Sequence, residues 1–180
     1  MSRLKFFFPI LAVIFLFGCA TVQAPTQRYN PPETTQQKFD YSKYHPSKLT
    51  DIAKEHDKSL ELDSKNAPPG KAFICIEAAP NAIRVKAEFC NEFRTPSEEH
   101  MKMVKSWLKA LGHEKYIGLF QHEVKLREDD IEYWLPIQEQ LIPFLQREIN
   151  TGEIAEFYIV YYGAYNFDHV FVINEFQKVQ

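Results

Sequence analysis

Residues 154–162 read Ile-Ala-Glu-Phe-Tyr-Ile-Val-Tyr-Tyr, and no other stretch restricts the fold as much. Its β-branched and aromatic residues mark it as a strand. Alternation along a strand sends Phe157, Ile159 and Tyr161 to one face and Tyr158, Val160 and Tyr162 to the other. Both faces are apolar or aromatic, so the strand belongs in the centre of a sheet or offers part of itself as an interface. Residues 169–176 form a second strand, joined to the first by a hairpin loop from Gly163 to Asp168. We place Phe157, Ile159 and Tyr161 inside, because Phe157 and Ile159 carry no polar atom that needs a partner. Tyr158, Tyr162 and the loop residue Tyr165 are the candidate binding residues, since tyrosine combines a large apolar ring with a hydroxyl that can stay wet at an interface rim.

Upstream, Leu49, Ile52, Ala53, His56 and Leu60 recur at helical spacing and predict a helix over 48–62 opened by Ser47 or Thr50. Residues 71–79 and 83–90 read as two strands separated by Pro80-Asn81. Thr95-Pro96-Ser97-Glu98-Glu99 starts a helix that runs to Leu111 and stops at Gly112, with Met101, Val104, Trp107, Leu108 and Leu111 on its inner face. Residues 116–126 and 131–135 read as strands around the turn Glu128-Asp129-Asp130. A further helix over 137–149 contains Pro143, which an interior turn does not accept, so it must begin late or kink there. The order from residue 82 is therefore strand, helix, strand, strand, helix, strand, strand. This is an α+β domain with two to three helices, built on an antiparallel sheet or a partly open barrel. A small barrel of the oligonucleotide/oligosaccharide-binding kind also carries a helix between its third and fourth strands.

The first residues have a different role. Arg3 and Lys5 precede an unbroken apolar run from Phe6 to Phe17, which is short of the roughly 20 residues that span a bilayer and fits a secretory signal. Leu16-Phe17-Gly18-Cys19 then resembles the lipobox of bacterial lipoproteins, with an aliphatic residue three before the cysteine and a small one just before it. Phe17 stands where that family more often has a small or β-branched residue. The resemblance covers only about the first twenty residues. It implies a signal peptide at 1–18, cleavage before Cys19 and palmitate-type lipid on Cys19, where two or three chains give stable anchoring. Ala20 in place of aspartate implies the outer membrane, facing the periplasm, with the inner membrane as the alternative. Residues 19–47, rich in Thr, Gln and Pro, are the lipidated end and a disordered tether, and 48–180 are the single folded domain. Tyr29, Phe39, Tyr41 and Tyr44 are either linker residues, a partner segment or a first contact with the domain.

Losing Arg3 and Lys5 takes the formal net charge from −3 to −5, which gives no electrostatic reason to bind nucleic acid. In an oxidising compartment Cys75 and Cys90 are expected to pair across neighbouring strands.

Candidate chemistry is sparse. His113-Glu114 and His122-Glu123 repeat a dipeptide, but their histidines are nine apart and straddle a helix end, unlike the four-residue spacing that puts two ligands on one helix face. No metal or cofactor is expected. Asp168-His169 lacks a serine other than Ser97 or Ser106 by tertiary accident, and there is no Gly-x-Ser-x-Gly turn. Glu128, Asp129, Asp130 and Glu132 read as a charged hairpin tip, and Lys102, Lys105, Lys109 and Lys115 as a solvated helix face. The expectation is a non-enzymatic envelope lipoprotein that binds another envelope protein as a subunit or accessory of an assembly or secretion system. A cell-wall-acting hydrolase and a periplasmic inhibitor or immunity protein are the alternatives.

Overall fold

The computed structural model describes residues 39–179, and the compact unit begins at Phe39. The expectations for the signal peptide, Cys19, Ala20 and Tyr29 lie outside the described residues. In chain order the elements are β1 (His45–Pro46), α1 (Leu49–Asn66), β2 (Ile74–Arg94), α2 (Glu98–Ala110), β3 (His122–Glu128), β4 (Ile131–Ile137), α3 (Ile142–Glu148), β5 (Ile154–Tyr165) and β6 (Asp168–Lys178). Five strands close in the order β2-β3-β4-β6-β5 and back to β2, and β1 adds to β2 outside the ring. The pairs are antiparallel except β4 with β6 and β1 with β2. A five-stranded ring of this order, with a helix between its third and fourth strands, is the arrangement of the oligonucleotide/oligosaccharide-binding barrel. The α+β class expected from the element order is what the chain adopts.

One strand does the work assigned to two. β2 runs unbroken through Pro80-Asn81 and shifts register against β5 between Ile76 and Asn81. Proline is tolerated there because a bulge takes residues out of the hydrogen-bonded ladder. A second shift, against β3 between Phe89 and Phe93, contains Asn91 at φ 54°. The disulfide expectation fails for the same reason. Cys75 and Cys90 are free, and they stand near opposite ends of this one strand: Cys75 pairs with Ala164, while Glu88 already pairs with Ile154. Ten residues of β5 between those partners span on the order of 30 Å, far beyond the ~4.4–6.8 Å between Cα atoms that a disulfide needs.

β5 is covered on both faces. Phe157, Ile159 and Tyr161 join Ile83, Val85, Phe89, Leu126, Leu135 and Ile137 inside the barrel. Val160 and Tyr162 pack outside it beneath Met103, Val104, Trp107 and Leu108 of α2, and the Trp107 ring stacks on Tyr162 with centroids 3.9 Å apart. Tyr158 is covered by Phe39, Tyr41 and Tyr44, whose ring centroids lie 5.8, 4.7 and 5.4 Å from its own. Tyr158 and Tyr162 are 2% and 3% exposed, so the expectation that they form a binding rim is corrected: each is a core residue under its own cover. Tyr165 is half-buried, with the Lys102 ammonium 5.4 Å from its ring centroid. The aromatic residues from Phe39 onward are a first contact with the domain.

Helix ends follow local chemistry in two cases and tertiary chemistry in one. The Ser97 side chain accepts the His100 N–H at 3.1 Å and opens α2. Gly112 at φ 71° closes it, with the His113 N–H donating to the Leu108 carbonyl at 2.7 Å. The inner face is His100, Met103, Val104, Trp107 and Leu108, while Leu111 is 42% exposed. α3 begins only at Ile142, which puts Pro143 in the first turn where its missing N–H costs nothing. α1, however, is capped by neither Ser47 nor Thr50. The buried Glu128 carboxylate accepts the Leu49 N–H at 2.9 Å and the Thr50 N–H at 3.1 Å from 78 and 79 residues away in sequence, meeting the helix dipole with a full negative charge. The stretch 116–126 also divides: Glu114–Leu119 is a 3-10 turn, and β3 starts at His122.

Candidate functional site

β4 and β6 pair at one position, Ile137 with Ile173. Beyond it a cavity of about 190 Å3 lies between them, with Tyr133, Trp134 and Leu135 on one side, Asp168, His169 and Phe171 on the other, and Arg94 and His100 beside it. The first turn of α2 aims His100 inward, where it is 5% exposed. One ring nitrogen, Nδ1, donates to Glu123, and Nε2 donates to Asp168 Oδ2 at 3.0 Å. Glu123 is 0% exposed, and its other oxygen accepts from Arg94 Nε at 2.7 Å. The Arg94 guanidinium lies 4.3 Å from the centroid of the Trp134 ring, and the Lys125 ammonium 5.2 Å from it. Lys125 in turn reaches Glu92 at 2.8 Å and Glu132 at 3.2 Å.

Burial alone would lower the His100 pKa, but the hydrogen bonds and charges of Asp168 and Glu123 outweigh it and push the group up to about 9. His100 is therefore a cation at neutral pH with both N–H groups engaged, which leaves it no lone pair with which to act as a base. Its raised pKa is also a stability statement. The contribution is complete below the unfolded value near 6.5 and is lost as pH rises through about 9. Urea unfolding followed from pH 6.5 to 9.5 should show a midpoint that falls with pH in the wild type, and His100→Gln should flatten that fall.

The second histidine also has a partner at each nitrogen. His169 Nε2 donates to Asp57 Oδ1 at 3.0 Å, and Nδ1 lies 2.9 Å from the Tyr161 hydroxyl. Burial, then the charges of Cys75, Glu77 and Asp57, push the Tyr161 phenol up, so it stays protonated. Cys75 is raised by burial and then by Asp63, which keeps it a thiol rather than a nucleophilic thiolate.

The residues singled out in the sequence are dispersed. His122 pairs with Glu139 on its own, and of the two His-Glu dipeptides only Glu123 contacts residues of the cleft, His100 and Arg94, from behind its wall. Among the described residues no group of three His, Cys, Asp or Glu side chains is placed to hold a metal ion. Ser97 serves as a helix cap. Glu128 caps α1, Asp129 pairs with Lys48 at 2.8 Å, and Glu132 pairs with Lys125. Asp168 and His169, adjacent in sequence, bind different partners. Arg94, His100 and Trp134 carry no local motif, and the one legible hint was a glutamate at position 123 in a strand that is otherwise mostly covered.

No protein-family model, curated protein or solved structure matches this chain. The cleft brings together an indole with two cations near its ring, acidic groups beside them, and two imidazoles with a hydrogen-bond partner at each nitrogen.

Proposed function

We propose that this chain is a non-enzymatic envelope lipoprotein, held on the outer membrane by lipid on Cys19, whose barrel captures another envelope protein as a subunit or accessory of a larger assembly. The observation that carries the reading is the cluster of Arg94 and Lys125 around the Trp134 ring beside the β4/β6 cleft. Tryptophan and arginine are the residues that most often dominate a protein interface, and a rim of mixed charge around them suits a protein surface. A hydrolase reading is weakened because His100 and His169 have both nitrogens occupied. Among the described residues no helix is long and apolar enough to cross a membrane, so anchoring in this reading falls to Cys19.

Site-specific crosslinking from Glu132 in intact envelopes, with the full chain, tests both halves. Truncating an interface tryptophan costs roughly 2 kcal/mol, about 30-fold in affinity. Trp134→Ala should therefore remove most of the crosslinked product while leaving the unfolding midpoint nearly unchanged. Cys19→Ser should lack the lipid mass and leave the membrane fraction. Undiminished capture by Trp134→Ala would reject the cleft, and a membrane-bound wild type without lipid mass would reject the anchor.

A further inference from the structure

A second cavity, about 350 Å3, lies between the end of α2, the 3-10 turn at 114–119, the segment that follows β4, and the outer faces of β5 and β6. Its size falls in the ~300–1,000 Å3 range of small-ligand sites. Leu108, Leu119 and Phe120 give it an apolar wall, and the half-open Tyr116 ring stands at its mouth. The polar groups are the carboxamides of Gln138, Gln140 and Asn174 and the Tyr162 hydroxyl. None of the lining residues is charged.

Two features leave these polar groups open to a ligand. Tyr162 is buried and locked by its stack on Trp107, and its hydroxyl, which has no hydrogen-bond partner among the described residues, is not one of the fully enclosed unpartnered atoms and so opens to the cavity that Tyr162 lines. The amides, exposed at Gln140 and half-buried at Gln138 and Asn174, each make one hydrogen bond. Gln140 Nε2 donates to Gln138 Oε1 at 2.9 Å, and Asn174 Nδ2 donates to the Tyr44 hydroxyl at 3.1 Å. The Gln140 and Asn174 carbonyl oxygens and the Gln138 amide N–H groups remain for a ligand.

Carboxamides and phenols both donate and accept and carry no charge. Their complement is a neutral molecule rich in hydroxyls, and the apolar wall asks that one of its faces be C–H. A pyranose ring presents both. We propose that this pocket binds a neutral saccharide, at a site separate from the protein-binding cleft.

Isothermal titration of the full chain in lipid nanodiscs, with maltotriose and with the N-acetylglucosamine trimer as probes and glucuronate and laurate as charged and apolar controls, tests this. At least one neutral trisaccharide should bind with Kd below about 1 mM. Tyr162→Phe, which keeps the ring on Trp107, and the surface change Gln140→Ala should each weaken it about five- to tenfold through a lost hydrogen bond. Trp134→Ala should leave sugar binding unchanged, so this result and the capture experiment fail or succeed independently. No heat from either sugar at about 10 mM, undiminished binding in both pocket variants, or preference for laurate or glucuronate would each overturn the proposal.

Discussion

Replacing Glu123 by alanine is expected to lower the unfolding free energy by about 3–5 kcal/mol at pH 7, the range for removing one partner of a buried ion pair. Glu123 is fully enclosed and is shared by His100 and Arg94. Without it the His100 cation stays buried with only Asp168, and Arg94 loses the anchor that holds it against Trp134. A loss of that size is a large part of the ~5–15 kcal/mol that keeps a domain folded. Glu123→Gln keeps the shape and gives up the charge, so it should fall between the two. The gap between wild type and Glu123→Ala should also narrow above pH 9, where His100 gives up its proton in the wild type. Urea titrations of the three proteins at pH 7 and at pH 10 measure all of this. A loss below about 1 kcal/mol at pH 7 would mean that the network is not the brace between α2 and the barrel that its geometry indicates.

The second large effect concerns β5. Phe157→Ala and Tyr162→Ala should each cost about 3–5 kcal/mol, although the two side chains point to opposite faces. Phe157 fills the barrel with Ile83 and Val85, and Tyr162 fills the layer under α2 with Trp107. Were the outer face an interface, Tyr162→Ala would weaken partner capture and barely move the unfolding midpoint. Equal and large losses on both faces instead identify a strand covered twice. Comparing the two midpoints with the capture yield of Tyr162→Ala distinguishes these outcomes.

What could be read from the chain was what short-range chemistry controls. The β5 and β6 strands follow from runs of β-branched and aromatic residues, and the start and stop of α2 from Ser97 and Gly112. The late start of α3 follows from the proline at 143, because each of these signals acts on dihedral angles or hydrogen bonds within a few residues. The doubly apolar pattern at 157–162 left a central strand and an interface both open, and it did not say what could provide cover on the outer face. α2 and the segment around Phe39, Tyr41 and Tyr44 supply it, and that pushed the domain's edge back to Phe39. Tyr158 and Tyr162 read as interface residues only because an aromatic facing a neighbour and one facing solvent look alike in a sequence.

The tertiary structure decided everything that depends on long loops closing. Pro80 was a strand break by local rules and became a bulge once β5 supplied a continuous partner for β2. That single change carried Cys75 and Cys90 to far ends of one strand and removed the disulfide. The cap of α1 comes from Glu128, the cleft from a barrel that β4 and β6 close at one pair, and the His100 brace from residues 23 and 68 positions away. Contacts at such separations are set by how the whole core packs, so neither spacing nor composition encodes them locally; Glu123 and His100 become partners, and His100 keeps its proton, only after the strands between them have found their register.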